Sequence, residues 1–369
     1  MRVKSLILFL PILFNGAQTR QATEFSTLVE RLSEPGGYFD SDNLISNETS
    51  YLHVMPALRR QQAGGKGTAY LGVGPEQSFS YLAELKPEYA FIVDIRRDNL
   101  LLHLLLKTIF SEASNRMEYL ALLYGRPIPS DLERWTGRPL EDLLLYLDAV
   151  KPDSAAYQSS HAKLLRQVVK LGVPITSEDQ LTLKRFHDEF FGRGLEIRFA
   201  SRGRPVRLSY PSSRQLYLAT DLEDNLASYL STEDRFLEVK RMQDSDRIIP
   251  VVGDLSGPKA VKAVGDYLRE KGLTVSAFYL SNVEFYLFRS GTFPAFVANV
   301  RSLPGNPNSV LIRSVFNRTF AHPQWVPGHL SVQLMQSFDA FLSYSTQPEM
   351  VGYWDLLESE HLPLGPFDP

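Results

Sequence analysis

The sequence predicts an α/β fold in which a mostly parallel, doubly wound sheet is interrupted by a large, mainly helical insertion. One observation is an apolar run at 69–71 that ends in Gly72-Val73-Gly74, followed by a helix-like segment and a second apolar run at 90–93 that stops at Asp94. The other is that the same succession of strand, polar turn and helix returns from residue 247 onward. Short buried strands that alternate with helices are typical of βαβ units, and the sheet that they build is Rossmann-like.

The chain divides into three parts after its N-terminus. Residues 23–114 form the first part of the core, residues 115–245 an inserted cap of helices with one hairpin, and residues 246–369 the second part of the core with a C-terminal tail. The predicted sheet strands are 69–71, 90–93, 247–253, 275–280 and 310–315, and the hairpin strands are 195–200 and 206–210. The predicted helices are 24–32, 100–110, 114–123, 132–150, 162–171, 177–191, 228–242, 259–271 and 294–302.

Local signals set several of these boundaries. The helix at 24–32 is amphipathic, and the loop Pro35-Gly36-Gly37 stops it. The helix at 259–271 follows Pro258, which suits a first helical turn, and Gly272 closes it. The elements of the core are therefore delimited by proline and glycine as well as by hydrophobic periodicity.

The N-terminus has the pattern of a signal peptide over residues 1–22. A basic start at 1–4 precedes the apolar run 5–14, and small and polar residues follow it. The run is too short to span a membrane, and it suits the hydrophobic part of a signal peptide. We therefore expect export to the periplasm or the medium, without a transmembrane span in the mature chain. A buried N-terminal helix in a cytoplasmic protein is the alternative, because Asn15 fits poorly near a cleavage site after Ala17.

The composition sets the outer limits of the function. The chain has 369 residues, enough for a large core, and 42 acidic against 39 basic residues leave a net charge of −3. This balance provides no overall basic character, so we expect a small-molecule ligand and no nucleic acid. The absence of cysteine from the sequence excludes disulfides, thiolate metal sites and cysteine nucleophiles. His187, Asp188 and Glu189 are adjacent and would point in different directions on a helix, so no metal site is predicted.

Polar residues and glycines follow the predicted strands at the ends that meet along one edge of a parallel sheet. Gly72 and Gly74 follow the first strand, Asp94 ends the second, Asp254 follows the third, and Ser281-Asn282 follows the fourth. Because open α/β sheets bind ligands at this edge, we expect these residues to surround one ligand site. The glycines would let the backbone approach the ligand, and a carboxylate at the end of the second strand can accept hydrogen bonds from ribose hydroxyls.

A dense patch of hydrogen-bonding side chains, residues 44–49, lies between the first helix and the first strand. One interpretation is that Ser46 or Asn47 caps a helix at 51–60. The other is that the patch contacts the ligand, which makes Asn47 a candidate binding residue. The sequence leaves both interpretations open.

The order of these motifs resembles that of the class I S-adenosylmethionine-dependent methyltransferases. In that comparison Gly72-Val73-Gly74 is similar to the glycine loop, Asp94 to the ribose-binding acid and Asp254 to the acid beside the adenine. Ser281-Asn282-Val283-Glu284 is similar to the segment after the fourth strand, beside the methyl donor and acceptor. Gln77 departs from the pattern because it falls where a third glycine is expected, and the insertion also departs from it. From about residue 25, stretches such as SEPGGYFDSDNLISNE, GVGPEQSFSY and IPVVGDLSGP further resemble a bacterial family of this layout without an established activity.

The resemblance implies S-adenosylmethionine as the cofactor of a methyltransferase whose acceptor the sequence does not identify. The residues that it implies for cofactor binding are Asn47, Gly72, Gly74, Gln77, Asp94, Ile95, Asp254, Leu255 and Ser281. The catalytic candidates, which would orient or deprotonate an acceptor, are Asn282, Glu284 and Tyr286. For Glu284 and Tyr286, structural pairing on the following helix is the alternative.

The second hypothesis is an exported, non-catalytic nucleoside- or metabolite-binding protein on the same scaffold. It arises because S-adenosylmethionine is a cytosolic metabolite, whereas the N-terminus predicts export. An NAD-dependent enzyme is disfavoured by the missing third glycine, and the sequence contains no Gly-x-Ser-x-Gly motif of a serine hydrolase.

Overall fold

The computed structural model describes residues 22–61, 63–316, 322–347 and 352–365. The predicted signal peptide, residues 1–22, lies outside these ranges except for its last residue. Among the residues described, no helix combines the length and the apolar character needed to cross a membrane.

Six strands form one sheet: β1 (Thr68–Gly72), β2 (Tyr89–Asp94), β3 (Ile248–Val252), β4 (Thr274–Tyr279), β5 (Val310–Phe316) and β6 (Ser331–Ser337). Their order is β3-β2-β1-β4-β5-β6, with parallel neighbours from β3 to β5 and an antiparallel β6 at the edge. The predicted α/β class and mostly parallel sheet are confirmed, and the order is consistent with a Rossmann-like fold. The direction of strand succession reverses between β1 and β4, and such a reversal opens a crevice at the carboxyl ends of the strands.

Helices surround the sheet and make up most of the insertion. The first part of the core contains α1 (Glu24–Leu32), α2 (Met55–Gln61), α3 (Ser78–Leu85) and α4 (Arg97–Glu112). The insertion contains α5 (Arg116–Tyr124), α6 (Leu140–Ala149), α7 (Ser154–Lys170), α8 (Ser177–Arg193), α9 (Ser213–Tyr217) and α10 (Glu233–Asp244), with short 3-10 helices at Leu132–Trp135 and Gly194–Glu196. The second part contains α11 (Ala260–Lys271), α12 (Val283–Ser290), α13 (Phe293–Arg301), α14 (Phe338–Tyr344) and α15 (Tyr353–Glu358).

The helix α4 joins the insertion to the core. Every residue from Asn99 to Phe110 is buried, so this helix is covered on all sides rather than along one stripe. One side packs on β2 and β3, and the other packs against α7, α8 and α10. The insertion therefore covers a face of the core through α4, rather than only capping the ends of the strands.

The predicted hairpin at 195–200 and 206–210 is wrong. This segment forms no ladder in the structure. Its strand-like pairing is limited to isolated bridges from Ser201 to Ser41 and from Arg198 to Ser212. The Arg198 guanidinium donates to the carbonyls of Leu208 and Tyr210 and so replaces the strand partner that the pattern suggested. A side chain thus satisfies backbone groups that a hairpin would have paired.

Four further element predictions need correction. The helix predicted at 228–242 begins only at Glu233, because the Thr232 side chain accepts a hydrogen bond from its first turn. The helix predicted at 132–150 is interrupted where Gly137 takes a φ of +78° ahead of Pro139, so α6 begins only at Leu140. The helix predicted from 162 begins earlier, as α7, because the Asp153 side chain accepts hydrogen bonds from its first turn. The helix predicted at 51–60 begins only at Met55, so neither Ser46 nor Asn47 caps it.

The segment from residue 33 to residue 48, which we call the wall segment, lies across the ends of β2 and β3. The Glu34 amide donates to Val252 O at 2.9 Å, and the Gly37 amide donates to Ile95 O at 2.7 Å. Arg96 Nη1 adds hydrogen bonds to the carbonyls of Ser41 at 3.0 Å and Asp42 at 2.7 Å. These bonds hold the wall segment at the edge where the crevice opens.

Candidate functional site

A cleft of about 640 Å³, the first cleft, lies at the carboxyl edge of the sheet. The ends of β1 to β4 form its floor, and the wall segment and α12 form its sides. Ten of the twelve predicted site residues line it: Asn47, Gly74, Gln77, Asp94, Ile95, Asp254, Leu255, Ser281, Asn282 and Tyr286. Gly72 and Glu284 do not. The expected convergence of strand ends is therefore present for most, but not all, of the predicted residues.

Gly72, the last residue of β1, and Gly74, in the turn that follows, have different roles. Gly74 has a φ of +78°, which favours glycine, and lines the cleft. A Cβ at Gly72 would lie 2.6 Å from the Tyr70 hydroxyl, so Gly72 makes room for a buried ring beneath the cleft. His103 Nε2 lies 2.9 Å from Gly74 O. Burial lowers the pKa of His103 to about 4, so its neutral ring donates this hydrogen bond and fixes the turn.

The Asp94 carboxylate is held by a neighbouring arginine. Asp94 Oδ1 accepts hydrogen bonds from the Arg96 backbone amide at 2.9 Å and from Arg96 Nε at 3.0 Å. Asp94 Oδ2 accepts from Arg96 Nη2 at 2.7 Å. A carboxylate has about four acceptor positions, so Arg96 leaves room for about one more hydrogen bond, at Oδ2.

The Asp254 carboxylate is oriented by its own turn. Its Oδ1 accepts from the Ser256 amide at 2.8 Å and from the Ser256 hydroxyl at 2.7 Å. Its Oδ2 accepts no hydrogen bond from any residue in the described ranges. Leu255 and Ile95 supply apolar lining beside the two carboxylates. This side of the cleft can therefore pack a flat apolar ring and accept hydrogen bonds at its edge.

Glu48 is a buried site residue that the sequence argument missed. Only 1% of it is exposed, yet it lines the first cleft. Its Oε2 accepts from Tyr279 Oη and Ser314 Oγ, both at 2.5 Å, and from Gln333 Nε2 at 3.0 Å. Among the described residues, its Oε1 accepts only from Ser281 Oγ, at 2.5 Å. All these donors are neutral, and Glu48 forms no ion pair with a described lysine or arginine. The polar patch 44–49 was the sequence signal, but it pointed to Asn47.

The loop after β4 brings Ser281, Asn282 and Tyr286 to the cleft. Ser281 has a φ of +51°, a conformation that side-chain-bearing residues seldom adopt and that often marks functional sites. Tyr286 packs edge-on against Phe39, with ring centroids 5.2 Å apart. Burial raises the pKa of Tyr286, so its hydroxyl is protonated near neutral pH. Tyr286 can therefore donate a hydrogen bond to a substrate, but it is not suited to be a base.

Glu284 points away from the cleft and needs a different interpretation from the predicted catalytic one. Its Oε2 accepts from Arg313 Nε at 2.7 Å, its Oε1 accepts from Arg313 Nη2 at 3.2 Å, and both side chains are at most 2% exposed. Arg313 Nη1 also lies 2.7 Å from His361 Nε2. Burial and the charge of Arg313 lower the pKa of His361 to about 2, so the neutral ring accepts this bond. Glu284 therefore has the structural role, as the partner of a buried arginine, that the sequence analysis gave as the alternative to catalysis.

A second cleft, of about 770 Å³, adjoins the first. The two share the lining residues Tyr38, Phe39, Asn47, Asn282, Tyr286 and Arg289. The remaining wall comes from the segment 199–210, the end of β5 and the start of α15. Of the predicted site residues, Asn47, Asn282 and Tyr286 line this cleft, but no predicted motif pointed to its remaining wall, because segments far apart in the chain assemble it.

Comparison with known families identifies one match. A family model described as a domain of unknown function (DUF7790) matches residues 43–126 and 204–357, which is more than half of the chain. The unmatched residues 127–203 contain α6, α7 and α8 of the insertion. The four strands β1, β2, β3 and β4, whose carboxyl ends form the floor of the first cleft, all lie in the matched parts. A search of curated proteins finds no match. The chain therefore belongs to the DUF7790 family.

Proposed function

We propose that the chain is an S-adenosylmethionine-dependent methyltransferase that binds the methyl donor in the first cleft and an acceptor in the second. The observation that carries this proposal is the junction of the two clefts at Asn47, Asn282 and Tyr286. A group transfer between two molecules needs two binding sites that meet at the reacting atoms. The proposal is further supported by the succession of glycine turn, Asp94, Asp254 and Ser281-Asn282 around the first cleft, which resembles the order of donor-binding motifs in class I methyltransferases.

The nucleoside part of the donor would lie between Asp94 and Asp254. Asp94 Oδ2 has room for one ribose hydroxyl beside the bond from Arg96. Asp254 Oδ2 could accept a hydrogen bond from the adenine amino group, while Ile95 and Leu255 would contact the faces of the ring. The open edge at Gly74 would admit the amino acid part of the donor.

Glu48 would complement the positive charge of that amino acid part. Its four hydrogen-bond donors are neutral side chains, so an ammonium group of the ligand would supply the cationic partner. The free acceptor position of Oε1 lies on the oxygen bonded to Ser281, a residue of the cleft lining. A buried carboxyl group that faces a ligand site without a cation is suited to recognise a cationic ligand.

The chemical step is a displacement at the methyl carbon. S-adenosylmethionine would supply the methyl group on a positively charged sulfur, which would keep the electrons of the broken carbon–sulfur bond and leave as a neutral thioether while a lone pair of the acceptor forms the new bond to carbon. An acceptor hydroxyl or amine releases its proton to solvent through the open mouth of the second cleft. Asn282 and the Tyr286 hydroxyl would hold the acceptor in line, because alignment and exclusion of water supply most of what this reaction requires.

Calorimetric titration of the full chain with S-adenosylmethionine and S-adenosylhomocysteine tests the proposal. We expect saturable binding that Asp94→Asn weakens by about tenfold to a hundredfold, because a hydrogen bond to a charged group contributes about 1.5–3 kcal/mol. Asp254→Asn should weaken it as well, and this change leaves the Asp94–Arg96 pair intact. Asp266→Asn, at an exposed position on α11, is the matched control. Absence of binding by folded wild-type protein contradicts the proposal.

A second candidate function is nucleoside or metabolite binding without catalysis, in an exported protein. The observation that favours it is that Arg96 already occupies about three of the four acceptor positions of Asp94. The same titration distinguishes the two functions if adenosine is included. Binding of adenosine by a protein that does not bind S-adenosylmethionine would support the second candidate.

A further inference from the structure

We propose that the second cleft binds a small molecule with an aromatic body and an anionic group, and that Arg207 and Arg289 hold the anion. If the proposed methyltransferase function is correct, this molecule is the methyl acceptor. The binding proposal itself depends only on the lining of the second cleft.

The lining is strongly aromatic. Nine of its eighteen residues carry an aromatic ring, whereas such residues make up 11% of the chain. Several of the rings are open to solvent, with Tyr38 71%, Trp354 46% and Tyr286 40% exposed. Exposed rings gathered at one concave site offer faces and edges to another aromatic ring. This lining therefore favours a flat, conjugated ligand over a purely aliphatic one.

The charge of the lining is positive. Three arginines and one acidic residue contribute to it, and the acid, Asp40, lies 3.6 Å from Arg204. Arg207 and Arg289 form no ion pair with a carboxylate of the described residues. Arg289 lies over the Phe285 ring at 5.5 Å, and Arg207 lies over the Tyr210 ring at 5.8 Å. Two guanidinium groups held on aromatic rings without an acidic partner can receive an anion in a bidentate manner.

The position of Arg289 brings the expected anion site next to the first cleft. Arg289 lines both clefts, as do Asn282 and Tyr286, whereas Arg207 lines only the second. An anion bound by Arg289 would therefore lie beside the junction of the clefts, and the aromatic body of the ligand would pack on rings that line the second cleft, such as Trp354. The volume of about 770 Å³ falls within the range of about 300–1,000 Å³ that is typical of small-molecule sites. A small molecule therefore fits the cleft better than a nucleic acid strand, which the overall charge of −3 also does not favour.

Ligand-observed NMR with the full chain, without S-adenosylmethionine, tests this site. The probes are 1-naphthoate, 2-naphthoate, indole-3-carboxylate and 4-hydroxybenzoate, each paired with its primary amide. We expect the carboxylates to bind at least tenfold more tightly than the amides, and Arg207→Gln with Arg289→Gln to remove that preference. Arg166→Gln, at an exposed position on α7, is the matched control and should keep it. Thermal denaturation of each variant confirms that it is folded.

The outcomes separate this inference from the proposed function. The inference is overturned if the protein binds the amides as tightly as the carboxylates, or if the double variant still prefers the carboxylates. Either result counts whether or not S-adenosylmethionine binds. Carboxylate binding without S-adenosylmethionine binding supports the site and contradicts the methyltransferase. A single-stranded oligothymidylate is included as a competitor to test whether the second cleft binds nucleic acid. If the oligonucleotide binds through the two arginines and the protein shows no preference for carboxylates, the cleft is assigned to single-stranded nucleic acid instead.

Discussion

Glu76 offers a test of how the insertion is joined to the turn after β1, which lines the first cleft. It is 4% exposed and precedes Gln77 of the first cleft. Its Oε1 accepts from Tyr217 Oη at 2.9 Å, and its Oε2 accepts from Tyr229 Oη at 2.8 Å, so two tyrosines of the insertion meet at this one carboxyl group. Burial raises the pKa of Glu76 to about 7, although the two tyrosine hydrogen bonds lower it.

The raised pKa makes the stability of the fold depend on pH in a definite direction. Since the folded pKa of about 7 lies above the ordinary value of 4.5, the contribution of Glu76 to stability is fully present below pH 4.5. It is lost as the pH rises through 7. At about 1.36 kcal/mol for each pKa unit, the loss between pH 5 and pH 8 is about 2–3 kcal/mol. A glutamine has the shape of the protonated side chain and does not titrate.

Chemical denaturation of wild type and Glu76→Gln at pH 5 and pH 8 measures this contribution. We expect similar free energies of unfolding at pH 5, and at pH 8 a variant more stable than wild type by about 2–3 kcal/mol. Buried histidines such as His103 titrate in both proteins, so their effect cancels in the difference. Glu141→Gln, an exposed position on α6, is the control and should follow wild type at both values. Parallel pH profiles of wild type and Glu76→Gln would refute the reasoning.

Two other substitutions separate structural from ligand-binding roles. Glu284→Gln should lower the free energy of unfolding in urea by about 3–5 kcal/mol, because it leaves the buried Arg313 charge without its partner. Calorimetry should find the affinity for S-adenosylmethionine unchanged in the folded variant. Loss of affinity with unchanged stability would restore a catalytic or binding role to Glu284. Gly74→Ala should destabilise the fold by about 1–2 kcal/mol, because its φ is +78° and the new Cβ would lie 3.2 Å from Gln77 Nε2. The same change should weaken binding in the first cleft, and an unaltered titration would mean that the turn does not contact the ligand.

The ligand edge of the sheet is predictable from the sequence because each strand is an apolar run that stops at a polar residue. Asp94 and Asp254 end or follow such runs, and the parallel ladder then places both at one edge. The prediction needs no knowledge of distant contacts, since the direction of the strands follows from the helices between them. Most of the candidate site follows from this local pattern.

The direction of individual side chains was not predictable in the same way. Glu284 lies two positions after Asn282, a cleft residue, but its partner Arg313 belongs to a strand far along the chain. Nothing in the segment around Glu284 indicates that ion pair. Glu48 shows the converse, because the strands β4, β5 and β6 supply three of its four hydrogen bonds, and β6 itself was not predicted. Where a side chain depends on several distant elements, the local sequence pattern does not determine its role.

Arg96 joins the carboxyl edge of the sheet and the wall segment into one unit. Its guanidinium contacts both oxygens of Asp94 and the carbonyls of Ser41 and Asp42, so one side chain fixes the acid at the end of β2 and the wall of the cleft. A carboxylate fixed in advance loses less freedom when a ligand binds, which favours affinity. The same bonds compete with a ribose hydroxyl for the carboxylate oxygens, and this competition lowers the affinity for a ribose-containing ligand. The balance of these two effects decides between a methyl donor and another ligand, so the choice between the two proposed functions depends on the Asp94–Arg96 pair more than on the glycine turn.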